Sequence, residues 1–244
     1  MIEQRPGERI DDLQRSRLQI IQNPSGFCFG MDAVLLSGFV TVKPGEFVVD
    51  LCSGSGIIPL LLSAKTKAKR IIGIELQKEM ADMATRSVEL NHLSPRVEIR
   101  CADLRDRGAA GESGTIDVVT CNPPYMAVGG AIRNPDDAKA IARHEIYCTL
   151  EDTVRETGRL LKNGGRCAYV YRPNRLIELI SALRRFQMEP KRMKLVHPFL
   201  NREANMVLLE AVKGGRAALR VEAPLVVFQR PGVYSDEIRD IYGY

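Results

Sequence analysis

From residue 45 onward, short β-branched runs alternate with helical patterns, and this rhythm limits the chain more than any other feature. Strand-helix-strand repeats close only as a largely parallel sheet with helices packed on its faces, an α/β fold. Strands are expected at Phe47–Leu51, Arg70–Glu75, Val97–Cys101, Ile116–Cys121 and 165–171. The helices between them fall at 57–64, 78–91, 150–161 and 174–186. The second places Met80, Met83, Ala84, Val88 and Leu90 near one face, and the last starts behind Pro173. Two further strand-like runs, 193–197 and 205–212, are joined by a polar loop, which predicts an antiparallel hairpin at one edge of the sheet. The first 44 residues read as an appendage, with a weak strand at 18–22 and an apolar helix at 32–40. Lys43-Pro44-Gly45 then turns the chain into the core domain, 45–244. Another apolar run, 219–228, follows Gly214-Gly215.

The first strand runs into Asp50-Leu51-Cys52-Ser53-Gly54-Ser55-Gly56 and then a helix. Glycines there let a ligand approach the backbone, and the helix start offers unpaired N–H groups. A dinucleotide loop needs a third glycine where this chain has Pro59, and a phosphate loop needs a Gly-Lys-Ser/Thr triplet that is missing. What remains, D-x-x-x-G-x-G, resembles the first motif of S-adenosylmethionine-dependent methyltransferases. Glu75 closes the second strand 19 residues after Gly56, where a carboxylate can accept hydrogen bonds from two ribose hydroxyls side by side. A third acid, Asp103, follows the third strand. Ligands of open α/β sheets bind at the carboxyl ends of strands, which is where all three acids fall.

The fourth strand leads into Asn122-Pro123-Pro124-Tyr125. Two prolines in a row fix the backbone, so the Pro123 carbonyl and the Asn122 amide oxygen can point at one spot. Two converging acceptors suit a planar exocyclic amine, which has two N–H donors, and they favour its attack on a sulfonium methyl by positioning and electrostatics. Tyr125 can lie over such a planar group. His144 and His197 are not required as bases, because the amine can lose its proton after transfer; both read as structural.

These residues resemble the N-P-P-Y amino-methyltransferases, and among them the tRNA(Val) adenine-N6 methyltransferase family, over roughly residues 28–212. Phe29-Gly30-Met31-Asp32-Ala33-Val34-Leu35-Leu36, the short appendage, and His144-Glu145 followed by Thr149-Leu150-Glu151-Asp152 add to the likeness. The resemblance implies a Rossmann-like class I methyltransferase with a mostly parallel seven-stranded sheet and S-adenosylmethionine as cofactor. It implies a cofactor pocket lined by Asp50, Cys52, Ser53, Gly54, Gly56, Glu75, Leu76, Asp103, Leu104 and Asn122, with Asp103 on the adenine. Catalysis falls to Asn122, Pro123, Pro124 and Tyr125, and the substrate is an anticodon-loop adenosine of a tRNA. A release-factor glutamine-N5 methyltransferase shares the motifs but typically carries a larger helical N-terminal domain. A DNA adenine methyltransferase usually needs a target-recognition insertion, for which this chain has no room. A non-catalytic RNA-binding relative has no physical reason to keep Asp50, Glu75, Asp103 and Asn122 aimed at one cavity.

Composition enters where the partner is concerned. The chain is 45% hydrophobic and 27% charged, which excludes disorder. Its net charge of +5 is concentrated in 184–216, where eight basic side chains face three acids. Arg184, Arg185, Lys191, Arg192, Lys194 and Arg202 are the candidate RNA-phosphate contacts from that segment. Lys65, Lys67, Lys69 and Arg70 read as solvated, at the far end of the first core helix. The six cysteines form no CxxC pair, so no metal site is expected and the thiols read as free in a reducing cytoplasm. The run Ile57 to Leu62 falls well below the ~18 residues that span a bilayer, and the N-terminus lacks the apolar core of a secretory signal. A soluble cytoplasmic protein is expected.

Overall fold

A computed structural model of the protein describes residues 4–26, 28–124 and 148–243. Seven long strands build the central sheet: β3 (Phe47–Leu51), β4 (Arg70–Glu75), β5 (Val97–Cys101), β6 (Ile116–Cys121), β7 (Leu161–Tyr171), β8 (Met188–His197) and β9 (Met206–Lys213). Two short strands, β10 (Arg220–Val221) and β11 (Leu225–Val226), extend it by pairing with β8, which gives the order β10-β8-β9-β7-β6-β3-β4-β5. The run from β7 through β6, β3 and β4 to β5 is parallel, and β9 pairs antiparallel with both β7 and β8. The expected edge hairpin is therefore present, although β10 and β11 cover what would otherwise be its open edge.

Alternating strand residues separate two cores. Val48, Ile71, Val118, Ala168 and Leu208 face helices α1 (Met31–Phe39) and α2 (Ile57–Lys65). Their neighbours Val49, Ile72, Val119, Cys167 and Leu209 face α4 (Leu150–Leu160) and α5 (Leu176–Arg185). Both faces of the sheet are covered, as a parallel sheet requires. Helix α3 (Lys78–Leu90) packs on the β5 side.

Three boundaries differ from the sequence expectation, each for a local reason. Strand β8 begins five residues earlier than expected: Pro190, which cannot donate to a ladder, sits at an irregularity between Pro190 and Arg192. Strand β7 follows α4 directly, because Leu161 pairs with Ile116 ahead of an irregularity and Gly164 takes φ +78°. Ahead of the core, β1 (Arg9–Asp12), which the sequence pattern does not reveal, pairs antiparallel with β2 (Gln19–Gln22).

That hairpin is held against α3 by specific bonds. The Ile21 amide donates to Ser87 Oγ (2.9 Å), Asn91 brackets the backbone of Gln19, and Arg86 pairs with Glu8 at 2.5 Å. The hairpin's Leu13, Leu18 and Ile20, together with most of α1, lie in the same apolar cluster as α2 and the sheet. At the carboxyl end, β12 (Phe228–Arg230), β13 (Val233–Tyr234) and α6 (Asp236–Tyr242) add Phe228, Tyr234, Ile241 and Tyr242 to that cluster. Lys65 is not solvated as expected. It is half-buried, donates to Ser37 Oγ at 2.8 Å, and burial pulls its pKa down to about 8. Arg70 is paired with Glu98. Among the described residues no helix is long and apolar enough to cross a membrane.

Candidate functional site

The chain leaves β3 toward β4 and β5 on one side and returns through β6 and β7 on the other, so the order reverses between β3 and β6. Such a switch point opens a crevice at the carboxyl ends of its strands. Leu51 pairs with Cys121 at those ends, so the next residues, Cys52 and Asn122, start the two loops that flank the crevice. The glycine loop and the Asn-Pro-Pro turn, 66 residues apart from Gly56 to Asn122, become neighbours by this topology alone.

The glycine loop is built for close approach. Cys52, Gly54 and Gly56 all have positive φ (+58°, +56° and +80°). A Cβ on Gly56 would meet the Ala84 Cβ of α3 at 3.0 Å, so the loop lies close on that helix. Gly73, inside β4, matters as much: a Cβ there would lie 2.6 Å from Ser53 Oγ and 2.8 Å from Ile99 Cδ1. The glycine-loop motif does not include Gly73; a glycine interrupting the β-branched run of β4 was the available signal.

The acids take different environments. Asp50 is wholly buried, and its Oδ1 accepts from Thr120 Oγ1 of β6 at 2.6 Å. Burial pushes its pKa up to about 7. Its Oδ2 and the Ser53 Oγ are buried next to one another at the loop, and the Ser53 hydroxyl, like that of Thr120, works against the rise. Glu75, 6% exposed, accepts from the Gly54 amide and the Gln77 amide, both at 2.8 Å. It thus ties the glycine loop to β4, and a carboxylate with two oxygens keeps further lone pairs for ligand hydroxyls. Asp103, the acid expected at the adenine, is paired within its own loop. Arg105 grips it through Nε (3.0 Å to each oxygen) and Nη2 (2.5 Å), and this pairing holds its carboxyl below the usual range. Leu76 is half-buried and Leu104 buried.

At the β6 end, Asn122 is half-buried, Pro123 buried and Pro124 half-buried. Asn122 Nδ2 donates to Oδ2 of Asp32, at the start of α1, over 3.1 Å. Tyr125, His144 and Glu145 lie outside the described residues. Cys52, Cys121 and Cys148, far apart in sequence, gather here. Its hydrogen bond with Cys121 pushes the Cys52 thiol well up, and the one with Cys52 pushes Cys148 up. All three thiols therefore stay protonated at neutral pH. Cys101, by contrast, is exposed. Thr149 and Asp152 form a capping box that starts α4.

The basic segment is not one patch. Because β8 and β9 run antiparallel to each other, Met188 pairs with Lys213 at the sheet edge away from the crevice, and Val196 with Met206 at the crevice edge. Arg184, at the end of α5, and Lys191 lie toward the far edge, paired with Glu189 and the Arg216 carbonyl, while the Arg185 side chain reaches Glu151 in the first turn of α4. Lys213 caps the Gly158 and Leu161 carbonyls at the end of α4. Arg192 lies mid-strand between Glu210 (3.3 Å) and Glu222 (2.7 Å), its guanidinium 4.6 Å from the Phe39 ring centroid, and Lys194 pairs with Glu237. Only Arg202 of the six candidates sits on a crevice-edge loop, exposed beside Leu200, which is 80% exposed. His197 Nδ1 is bonded to the Arg202 carbonyl at 2.7 Å, a structural contact that shapes this loop.

Residues 48–143 match the family described as a methyltransferase domain. The chain is 26% identical over 229 residues, 91% of its length and 89% of the relative's, to the tRNA1(Val) (adenine(37)-N6)-methyltransferase of Porphyromonas gingivalis. It is 28% identical to the protein of the same name in Aeromonas salmonicida, covering 85% of each. The chain has the Rossmann-like methyltransferase fold. A crystal structure from Agrobacterium tumefaciens, described as a predicted O-methyltransferase, superposes with a TM-score of 0.71 at 26% identity, over 87% of this methyltransferase and 96% of that chain. The geranyl diphosphate C-methyltransferase of Streptomyces coelicolor A3(2) shares the fold at a TM-score of 0.57 and 16% identity, covering 75% of this chain and 78% of its own. The acceptor atoms in these names differ, so the fold by itself does not fix one.

Proposed function

We propose that this protein transfers a methyl group from S-adenosylmethionine to the exocyclic N6 of an adenosine in tRNA. The substrate in view is the adenosine at position 37 of a valine tRNA, the nucleoside named for its relatives. One observation carries the reading: the pairing of Leu51 with Cys121 sets the glycine loop and the Asn122-Pro123-Pro124 turn side by side at the switch point. The cradle fits the cofactor, with positive-φ glycines where a backbone must approach a ligand and a nearly buried Glu75 at the end of β4.

When bound, S-adenosylmethionine supplies a sulfonium methyl that an amine nitrogen can attack. Gly54 and Gly56 admit it, Glu75 accepts from its ribose hydroxyls, and Leu76, Asp103 and Leu104 border its adenine. The Asn122 amide oxygen and the Pro123 carbonyl accept the two N–H groups of the target amine, which orients its lone pair and raises its electron density. Tyr125 stacks on the target base. The adenosine must leave its stack to reach Asn122, at a cost of a few kcal/mol that is smallest in a single-stranded loop. Arg202 contacts phosphate at the crevice edge, and the protein works where tRNA is found, in the cytoplasm. The release-factor alternative is not favoured, since the relatives carry tRNA names over most of this chain.

The test is nucleoside mass spectrometry of tRNA incubated with the purified protein and S-adenosylmethionine. N6-methyladenosine is expected in tRNA carrying adenosine at position 37 and absent after its replacement by guanosine. For Asn122→Ala the expected loss of kcat is about 100-fold or more with cofactor affinity kept. A methylated release-factor glutamine and unmodified tRNA would reject the reading.

A further inference from the structure

An asparagine amide has a donor end and an acceptor end, and only the acceptor end can receive an N–H from a target amine. Which end faces the target must therefore be set by something else. Asn122 Nδ2 donates to Asp32 Oδ2 at 3.1 Å, across 90 residues of sequence, and both side chains are half-buried. The other oxygen of Asp32, Oδ1, accepts the backbone N–H of Ala33 in the first turn of α1 at 2.9 Å. Gly30 leaves room for this arrangement, because a Cβ there would lie 2.7 Å from Asp32 Oδ1. The carboxylate is thus held from the helix side through one oxygen, and the other meets the Asn122 amide.

We propose that Asp32 is a positioning residue that fixes the Asn122 amide with its oxygen turned away from α1, so that the crevice selects a planar amine and rejects a carbonyl at the same place. The inference rests on the function proposed above. A carboxylate presents two acceptors and no donor, so Asn122 can meet it only with Nδ2. An asparagine at position 32 has the same shape but one acceptor. The Ala33 N–H takes that oxygen, and the NH2 left facing Asn122 draws in its oxygen and inverts the amide.

The isosteric Asp32→Asn variant therefore separates a positioning role from a purely structural one. Asp32 lies in the first turn behind the Gly30 N-cap, so a structural role predicts that asparagine there lowers Tm slightly through the lost charge and leaves kcat unchanged. Positioning predicts that kcat for tRNA methylation falls about 10- to 100-fold, with cofactor affinity and RNA KM within about twofold and no change in Tm beyond that of the lost first-turn charge. Retained kcat would overturn the proposal, as would a parallel loss of cofactor affinity and Tm. A readout without turnover uses 15N-asparagine-labelled, cofactor-free protein. The Asn122 side-chain amide signal, identified by its loss in Asn122→Ala, is expected to be protected from solvent exchange in the wild type and unprotected in Asp32→Ala; equal exchange in the two overturns the contact. If the wild type shows the protected amide yet methylates no tRNA adenosine, the proposed function fails and the orientation of Asn122 stands.

Discussion

Asp50 shows how one residue can carry a signal readable in sequence and a physical state that is not. Its place four residues ahead of Gly54 marks the loop, but only the packed structure reveals that full burial raises its pKa to about 7 against the opposing hydrogen bond from Thr120. The folded state therefore holds a proton that the unfolded chain, at an ordinary aspartate pKa of about 3.9, has already released. Stability from this source is fully present below pH 4 and is lost as the pH rises through 7. Asp50→Asn should abolish that loss, so that between pH 5 and 8 the variant gains on the wild type by a few kcal/mol. Thermal melts of the cofactor-free proteins read this directly, and parallel pH curves would contradict it. Glu75 makes the complementary case: its two backbone bonds build the loop and leave lone pairs for the proposed ribose contact.

At the level of elements, the glycine loop depends on strands beside it as much as on its own glycines. Gly73 is the clearest instance, since Ser53 and Ile99 occupy the space above it. Gly73→Ala should force the loop outward, costing about 1–3 kcal/mol. It should also weaken S-adenosylmethionine binding several-fold, a combination that calorimetric titration and a melt would detect together. A variant with unchanged affinity would show that Ser53 can move without disturbing the cradle. The same lesson holds for the N-terminal hairpin. β1 has the charged sequence Arg9-Ile10-Asp11-Asp12, with little apolar alternation to announce a strand, and it forms because β2 offers a ladder and α3 offers Ser87, Arg86 and Asn91 as docking partners. What reads as an appendage thus holds the approach to Asp32.

Across the whole molecule, the net charge divides by sheet edge rather than by sequence segment. Strand direction separates Arg184 and Lys191 from the crevice, Arg185 is paired with Glu151, and Arg192 and Lys194 are held by Glu210, Glu222 and Glu237. Charge reversal at Arg202 should therefore weaken tRNA binding and reduce its salt slope by about 1, with the fold intact. Reversal at Arg184 or Lys191 should leave binding nearly unchanged. Arg192→Glu should instead lower Tm, because it sets a third acid against Glu210 and Glu222 in partly buried surroundings. Filter binding at several salt concentrations, alongside melts, distinguishes the three; a salt slope that responds to Arg184 and not to Arg202 would move the RNA to the opposite edge.

Much of this protein is legible in its residues alone. Hydrophobic period, turn residues and strand-end acids are local properties, and they place β3 to β7, α2 to α5, the glycine loop and the Asn-Pro-Pro turn within a few residues. The early start of β8, the existence of β1, the pairing of Asp103 with Arg105, the bond from Asn122 to Asp32 and the division of the basic segment are not legible there. Each depends on which residues meet across the fold and on which way a strand runs. A side chain's type and spacing state what it is able to do; its partner, burial and end of the sheet decide what it does, and these arise only when the whole chain packs.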